Sequence, residues 1–166
     1  MNILLLRPIP ANERFGLGPF FRIEPLGMEY IATALEARGH RVAIADLRFS
    51  HPLAYYMRTL RPGVVGIAAM HALETDEVLS VVREVRALSA DVPIVVGGHT
   101  AAAYPEPFIT ADVTAVVLDD GERAFPALCD ALERGRPLAT VPGLALPGPD
   151  GGILRTEGER GTLALD

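Results

Sequence analysis

The sequence predicts an α/β protein: a doubly wound, five-stranded parallel sheet with helices on both faces, followed by a C-terminal β-hairpin. Two observations carry this expectation. Short apolar runs alternate with amphipathic segments five times along the 166 residues, the signature of strand–helix–strand units. The runs "NILLL", "GVVGIAAM" and "VPIVVGG" are apolar throughout rather than at every second residue, as strands buried on both faces must be. Right-handed crossovers then favour the flavodoxin-like, Rossmann-like strand order 2-1-3-4-5.

The first strand is read at residues 2–8, before a long loop, "IPANERFGLGPFFRIEP", whose Phe15, Phe20 and Phe21 either cover a ligand or pack on one another. A helix follows at 25–38, with Pro25 at its first turn, Gly39 as its stop, and Met28, Ile31, Ala32 and Leu35 on one stripe. Strand two at 40–47 and a short helix at 52–60 lead to strand three at 63–70. The next helix, 74–89, turns Val78, Leu79, Val82 and Val85 inward. Strand four is read at 92–98, a short helix near 104–110, and strand five at 113–120. The last helix, 122–134, buries Phe125, Leu128, Cys129 and Leu132. Residues 143–157 read as strand, turn and strand, closed by "PGPDGG".

Composition narrows the function. A net charge of −6 argues against sequence-independent nucleic-acid binding, which wants a basic face. All 15 basic residues are Arg, so neither a Schiff-base lysine nor a phosphate-loop lysine is available. The single cysteine, Cys129, leaves no internal disulfide and no cysteine-rich metal cluster; on a helix's inward stripe it reads as core packing. No apolar run nears the roughly 18 residues of a membrane span, and the N-terminal apolar stretch is too short for a signal peptide, so a cytoplasmic location is expected.

In a parallel α/β sheet, ligands bind beyond the carboxyl ends of the strands. Those ends carry Arg7-Pro8, Ala68-Ala69-Met70-His71, Gly97-Gly98-His99-Thr100 and Asp119-Asp120-Gly121-Glu122. Strands three and four thus end in small, neutral residues, which leaves a slot better suited to a flat or elongated ligand than to a phosphate cluster. Two adjacent glycines at a strand end cost backbone entropy; either the chain turns tightly there or something bulky lies against it. A dinucleotide fingerprint is not met, because Pro19 follows Gly16 and Gly18 and the helix starts several residues later. No serine stands on a strand–helix elbow, and the aspartate and lysine of a receiver domain are absent. Asp46 could meet a ribose or cap its strand, Glu122 opens the last helix where a carboxylate complements the dipole, and His40 and His51 read as structural.

The segments "FRIEPLGMEYIATALEARGHRVAIAD", "VVGIAAMH", "VPIVVGGHTAAAYPE" and "VVLDDGERAFPAL" together resemble the cobalamin-binding domain that precedes the radical SAM domain of class B radical SAM enzymes. The "FRIEPLG" form is especially similar to hopanoid-methylase-like members. The resemblance implies a cobalamin-binding domain at 1–140, with the hairpin and the start of a linker at 141–166. It also implies a nucleotide tail threaded beside strands three and four, and a corrin lying over the strand ends. The implied contacts are Arg22, Glu24, Gly27, Ala68, Ala69, Met70, His71, Gly97, Gly98, His99, Thr100, Asp119, Asp120, Gly121 and Glu122. Gly97 and Gly98 would clear the tail's channel opposite Ala68 and Ala69, and any side chain at Gly98 would meet the tail. No residue is given a catalytic or metal-ligating role.

Histidine-ligated cobalamin proteins carry D-x-H-x-x-G after strand one; here Arg22 fills the Asp slot and Glu24 the His slot, ahead of Gly27. The resemblance therefore implies base-off, His-off cobalamin, with His71 and His99 the nearest imidazoles. Two departures stand out. The family's Gly-Glu-Gly-Glu after strand five is Asp119-Asp120-Gly121-Glu122, and the C-x-x-x-C-x-x-C cluster motif is absent. One cysteine cannot hold an iron–sulfur cluster, so a 4Fe-4S cluster and S-adenosylmethionine belong to a radical SAM domain in cis or trans. "TLALD" resembles the linker at which that domain begins, and the chain is read as part of a longer protein. The reading is the cofactor-holding domain of a cobalamin-dependent radical SAM enzyme, a methyltransferase among them. The alternatives are the N-terminal half of a nucleotide-sugar glycosyltransferase, which shares "PLG…ALEARGHRV", and a stand-alone cobalamin carrier or sensor.

Overall fold

The computed structural model describes residues 1–9, 25–49 and 51–158. Arg22, Glu24, the three loop phenylalanines and the "TLALD" segment lie outside them. Five parallel strands, β1 (Asn2–Arg7), β2 (Arg41–Asp46), β3 (Val64–Ala68), β4 (Ile94–Gly97) and β5 (Ala115–Val117), stand in the order β2-β1-β3-β4-β5. This is the doubly wound order expected. The hairpin adds β6 (Leu144–Pro147) and β7 (Ile153–Arg155), antiparallel, to the β5 edge, so the sheet has seven strands.

The helices are α1 (Leu26–Glu36), α2 (Leu53–Leu60), α3 (Thr75–Leu88), α4 (His99–Ala103) and α5 (Gly121–Glu133). Strand pleating sends alternate residues to two cores. On β3, Val65 and Ile67 pack with α2 and α3, and Ala69 just beyond continues that side. Val64 and Ala68 pack with α1 and α5, and a Cβ on Gly66 would point there too, against the Phe125 ring. On β4, Val96 takes the first side and Val95 the second. None of the described helices is long and apolar enough to cross a membrane.

Three details differ from the periodicity reading. The short helix near 104–110 is displaced: α4 begins at His99, and only one 3₁₀ turn, Glu106–Phe108, follows. Ala101, Ala102 and Ala103 favour helix, whereas Pro105 and Pro107 disfavour its continuation. On α3 it is Val81, not Leu79, that joins Val78, Val82 and Val85 as fully buried; Leu79 packs at the margin. On α5, Ala124 and Ala131 are buried and Leu132 is half-buried, because small residues let this helix approach the sheet closely.

The amino edge of the sheet is closed by side chains. His40 is buried beside the Met1 amine and Glu133, with 2.8 Å between that amine and Glu133. Arg38 reaches Asp130 at 2.6 Å. At the opposite edge His51, exposed between β2 and α2, lies on Tyr55 with ring centres 4.4 Å apart. His40 thus has the structural role expected of it.

Burial, with the Asp130 and Glu133 charges adding to it, pushes the Cys129 thiol up to about 12. The thiolate is the reactive form. Cys129 in the folded chain is therefore expected to stay unmodified by Ellman's reagent at pH 8 and to react only as the chain unfolds in denaturant. Rapid stoichiometric labelling of the folded chain would contradict this burial.

Candidate functional site

The carboxyl edge is built around one pair of small residues. Ala68 ends β3 directly opposite Gly97 on β4. Beyond them, the Ala69 N–H donates to the Gly97 carbonyl at 2.7 Å, and the Thr100 N–H donates to the Ala69 carbonyl at 3.1 Å. The loops after the two strands are thus stitched together, and Ala69 and Thr100 are buried beneath the rim.

The two glycines are there for different reasons. Gly98 has φ +109° and ψ 172°, a region only glycine occupies without strain. A Cβ there would lie 2.6 Å from the Ala69 carbonyl oxygen. What lies against Gly98 is therefore the neighbouring loop's own backbone. This corrects the expectation that a side chain at this position would chiefly meet a ligand. Gly97 is different: a Cβ built on it would touch only Val117 Cβ, at an ordinary 3.5 Å. Its missing side chain leaves space on the α1/α5 side of the rim.

A broken collar of exposed apolar side chains runs along the carboxyl edge of the sheet. Ile9 follows β1, Leu26 opens α1, Phe49 follows β2, and Met70 and Leu73 follow β3. Leu73 is 82% exposed and Leu26 is 58% exposed. Apolar groups gathered at a strand-end rim mark a ligand surface or an interface. Sequence reasoning singled out only Met70 among them. The available signal was that Leu26 falls off the buried stripe of α1, formed by Met28, Ala32 and Leu35.

The other expected contacts divide. Gly27 is exposed at the start of α1, where a Cβ would meet nothing within 4 Å. His71 is exposed, its backbone N–H 3.4 Å from a Glu74 carboxylate oxygen, and His99 is the exposed first residue of α4. Asp119 is exposed but turned to the hairpin: a Cβ on Gly143 would lie 2.7 Å from its carboxylate. Asp120 precedes α5 and Glu122 lies in its first turn, both exposed. At Gly121 a Cβ would be 2.7 Å from Ile31 Cδ1, so that glycine serves the packing of α5 on α1.

At the β1/β2 corner Asp46 is held by Arg48, with 2.8 Å between Nε and Oδ1 and 3.1 Å from the Arg48 N–H, and by Arg7 at 3.7 Å. Burial pulls this carboxyl upward, but the Arg48 hydrogen bonds and both guanidinium charges outweigh it and leave it below the usual range.

Residues 19–129 match the family model described as the B12 binding domain. The chain belongs to that family. The B12-binding domain is 30% identical over 132 residues to the hopanoid C-3 methylase of Methylococcus capsulatus, covering 75% of this chain and 25% of the relative. It is 32% identical over 152 residues to the tryptophan 2-C-methyltransferase of Streptomyces laurentii, covering 80% and 25% respectively. Its fold matches the radical S-adenosylmethionine methyltransferase TsrM from Kitasatospora setae, solved with cobalamin and a 4Fe-4S cluster bound, at 24% identity and TM-score 0.81 over 95% of this chain and 29% of that one. The chain spans 25% to 35% of the length of the curated relatives it matches.

The rim fits cobalamin: Gly97 leaves a cradle that a side chain would fill, and the apolar collar suits a flat macrocycle.

Two outcomes follow for the chain without ligand. Gly98→Ala should destabilise the fold by about 2 kcal/mol or more, from strain and the Ala69 clash, whereas Gly97→Ala should change it by less than about 1 kcal/mol. Equal denaturant midpoints for the two variants would contradict the assignment. For Asp46, a lowered folded-state pKa means that its stabilisation is present above the unfolded carboxyl range and is lost as pH falls through the folded value. Asp46→Asn should therefore cost about 1 kcal/mol at pH 7, with the difference closing in acid. A pH-independent difference in urea unfolding would contradict the ion-pair account.

Proposed function

We propose that this chain is the cobalamin-holding part of a cytoplasmic radical SAM methyltransferase, with the cofactor bound base-off and without a histidine ligand. The observation that carries the reading is the Ala68–Gly97 gap beside a broken apolar collar, in a chain of the B12-binding family. The methyltransferase relatives support the reaction class. The 4Fe-4S cluster and S-adenosylmethionine would be held by a radical SAM domain in cis or trans, since Cys129 is buried and a cluster needs several thiolates.

Bound cobalamin supplies cobalt chemistry suited to carrying a methyl group. The residues' tasks are to hold and shield it. Gly97 and Ala68 admit the nucleotide tail on the α1/α5 side. Met70, Leu73 and Leu26 cover apolar corrin surface and exclude water from it. A carboxylate such as Glu24 is a poorer donor to cobalt than imidazole. Asp119 is committed to the hairpin side, whereas Asp120 and Glu122 stand exposed where α5 begins.

Gly97→Val should leave the circular dichroism spectrum unchanged, because its Cβ has room, yet abolish the visible absorbance that co-elutes with the chain after incubation with hydroxocobalamin. A variant that keeps as much cobalamin as the parent would place the tail elsewhere. Electron paramagnetic resonance of the Co(II) form should show no nitrogen superhyperfine splitting. Splitting lost in His71→Ala or His99→Ala would reveal a histidine ligand, and splitting that survives both would reveal the cofactor's own base; either overturns this ligation.

A further inference from the structure

At the amino edge of the sheet, opposite the rim, the fold brings a terminal amine, an imidazole and two carboxylates together. Met1 precedes β1, His40 precedes β2, and Asp130 and Glu133 lie in the last turn of α5. The Met1 amine is 2.8 Å from Glu133 Oε1 and 3.3 Å from His40 Nδ1, and that oxygen and that ring nitrogen are 3.9 Å apart. Asp130 joins them: one ligand atom from each of His40, Asp130 and Glu133 lies within 4.8 Å of the others. Tetrahedral zinc, with bonds of about 2.0 to 2.1 Å, holds its donors about 3.3 Å apart. The three measured spacings straddle that value, so closing on an ion needs shifts of only about half an ångström.

Two further observations point to a cation here. The His40 side chain is 2% exposed; its Nε2 is buried with no hydrogen-bond partner, so the ring makes its polar contact through Nδ1, towards the cluster. The carboxylates stand at the negative end of the α5 dipole, in a turn that holds no basic residue. Acidic groups are unfavourable there unless positive charge offsets them. Arg38 serves Asp130, through Oδ2 at 2.6 Å, and the amine serves Glu133.

We propose that the Met1 amine, His40 Nδ1 and Glu133, with Asp130 as fourth donor, bind one zinc ion. The ion takes the place of the amine's proton, which passes to water. Nitrogen and oxygen donors of these kinds suit zinc, and four protein donors make a closed, structural site. The ion ties the start of β1, the start of β2 and the end of α5 together, and takes no part in chemistry at the opposite edge.

The test titrates zinc into the metal-free chain by calorimetry. The unaltered chain should take up one equivalent and melt at a higher temperature when zinc is present. Glu133→Gln removes one donor at an exposed position. Acetylation removes another: all 15 basic residues are Arg, so the Met1 amine is the only amine the reagent can modify. Circular dichroism checks that both altered chains are folded. Each should bind zinc at least about tenfold more weakly, the loss that even an outer partner of a metal ligand brings. A second measurement needs no alteration: in nuclear magnetic resonance spectra the His40 ring signals should shift on adding zinc, while those of the exposed His51, His71 and His99 stay in place. No binding by the unaltered chain, undiminished binding in either altered chain, or shifts confined to the exposed histidines would overturn the site.

Discussion

The backbone pairing of β3 with β4 at their carboxyl ends is the constraint on which the rest of the site depends. Ala68 faces Gly97, and the two strands then exchange hydrogen bonds through Ala69, Gly97 and Thr100. This stitching needs Gly98 in a conformation closed to other residues. It fixes the rim so that the emptiness at Gly97 is a shaped gap in rigid structure and not slack in a loop. A binding site set on strand ends is positioned more precisely than one set on loops alone.

The two edges of the sheet are built in opposite ways. At the amino edge, Arg38–Asp130 and the Met1–Glu133 pair close the surface with charge. Arg86 there also donates to the Ser89 and Asp112 carbonyls. At the carboxyl edge, apolar groups stand in solvent and the small residues leave room. Exposed apolar area is unfavourable in water, so its concentration at the ligand-binding edge of an α/β sheet is what a site for a large, partly apolar cofactor requires. The hairpin contributes from the side: Leu144 and Leu146 extend the α1/α5 core, and the start of β6 occupies Asp119.

The fold was legible because buried parallel strands write themselves as continuous apolar runs and their helices as 3.6-residue stripes. Strand order followed from handedness. The hairpin was legible from "PGPDGG", although its joining the main sheet was not, since nothing local reveals which edge a hairpin meets. The α4 region misled because its tripled alanine precedes the prolines, so the helix forms upstream of where apolar spacing pointed. In the site, the Gly97-Gly98 pair was visible, but their separate roles were not. A backbone φ of +109° and a carbonyl 2.6 Å away are tertiary facts. The same holds for Gly66 and Phe125, which are 59 residues apart and meet only once α5 lies on β3.

Hydrogen–deuterium exchange of this chain with and without hydroxocobalamin tests the central claim most directly. The account predicts slower exchange at the carboxyl edge, in peptides covering residues 26–29, 69–73 and 97–101. Peptides from the amino edge, around Arg61 and Ser89, should be unchanged. Protection confined to that opposite edge, or no protection anywhere at saturating hydroxocobalamin, would contradict it.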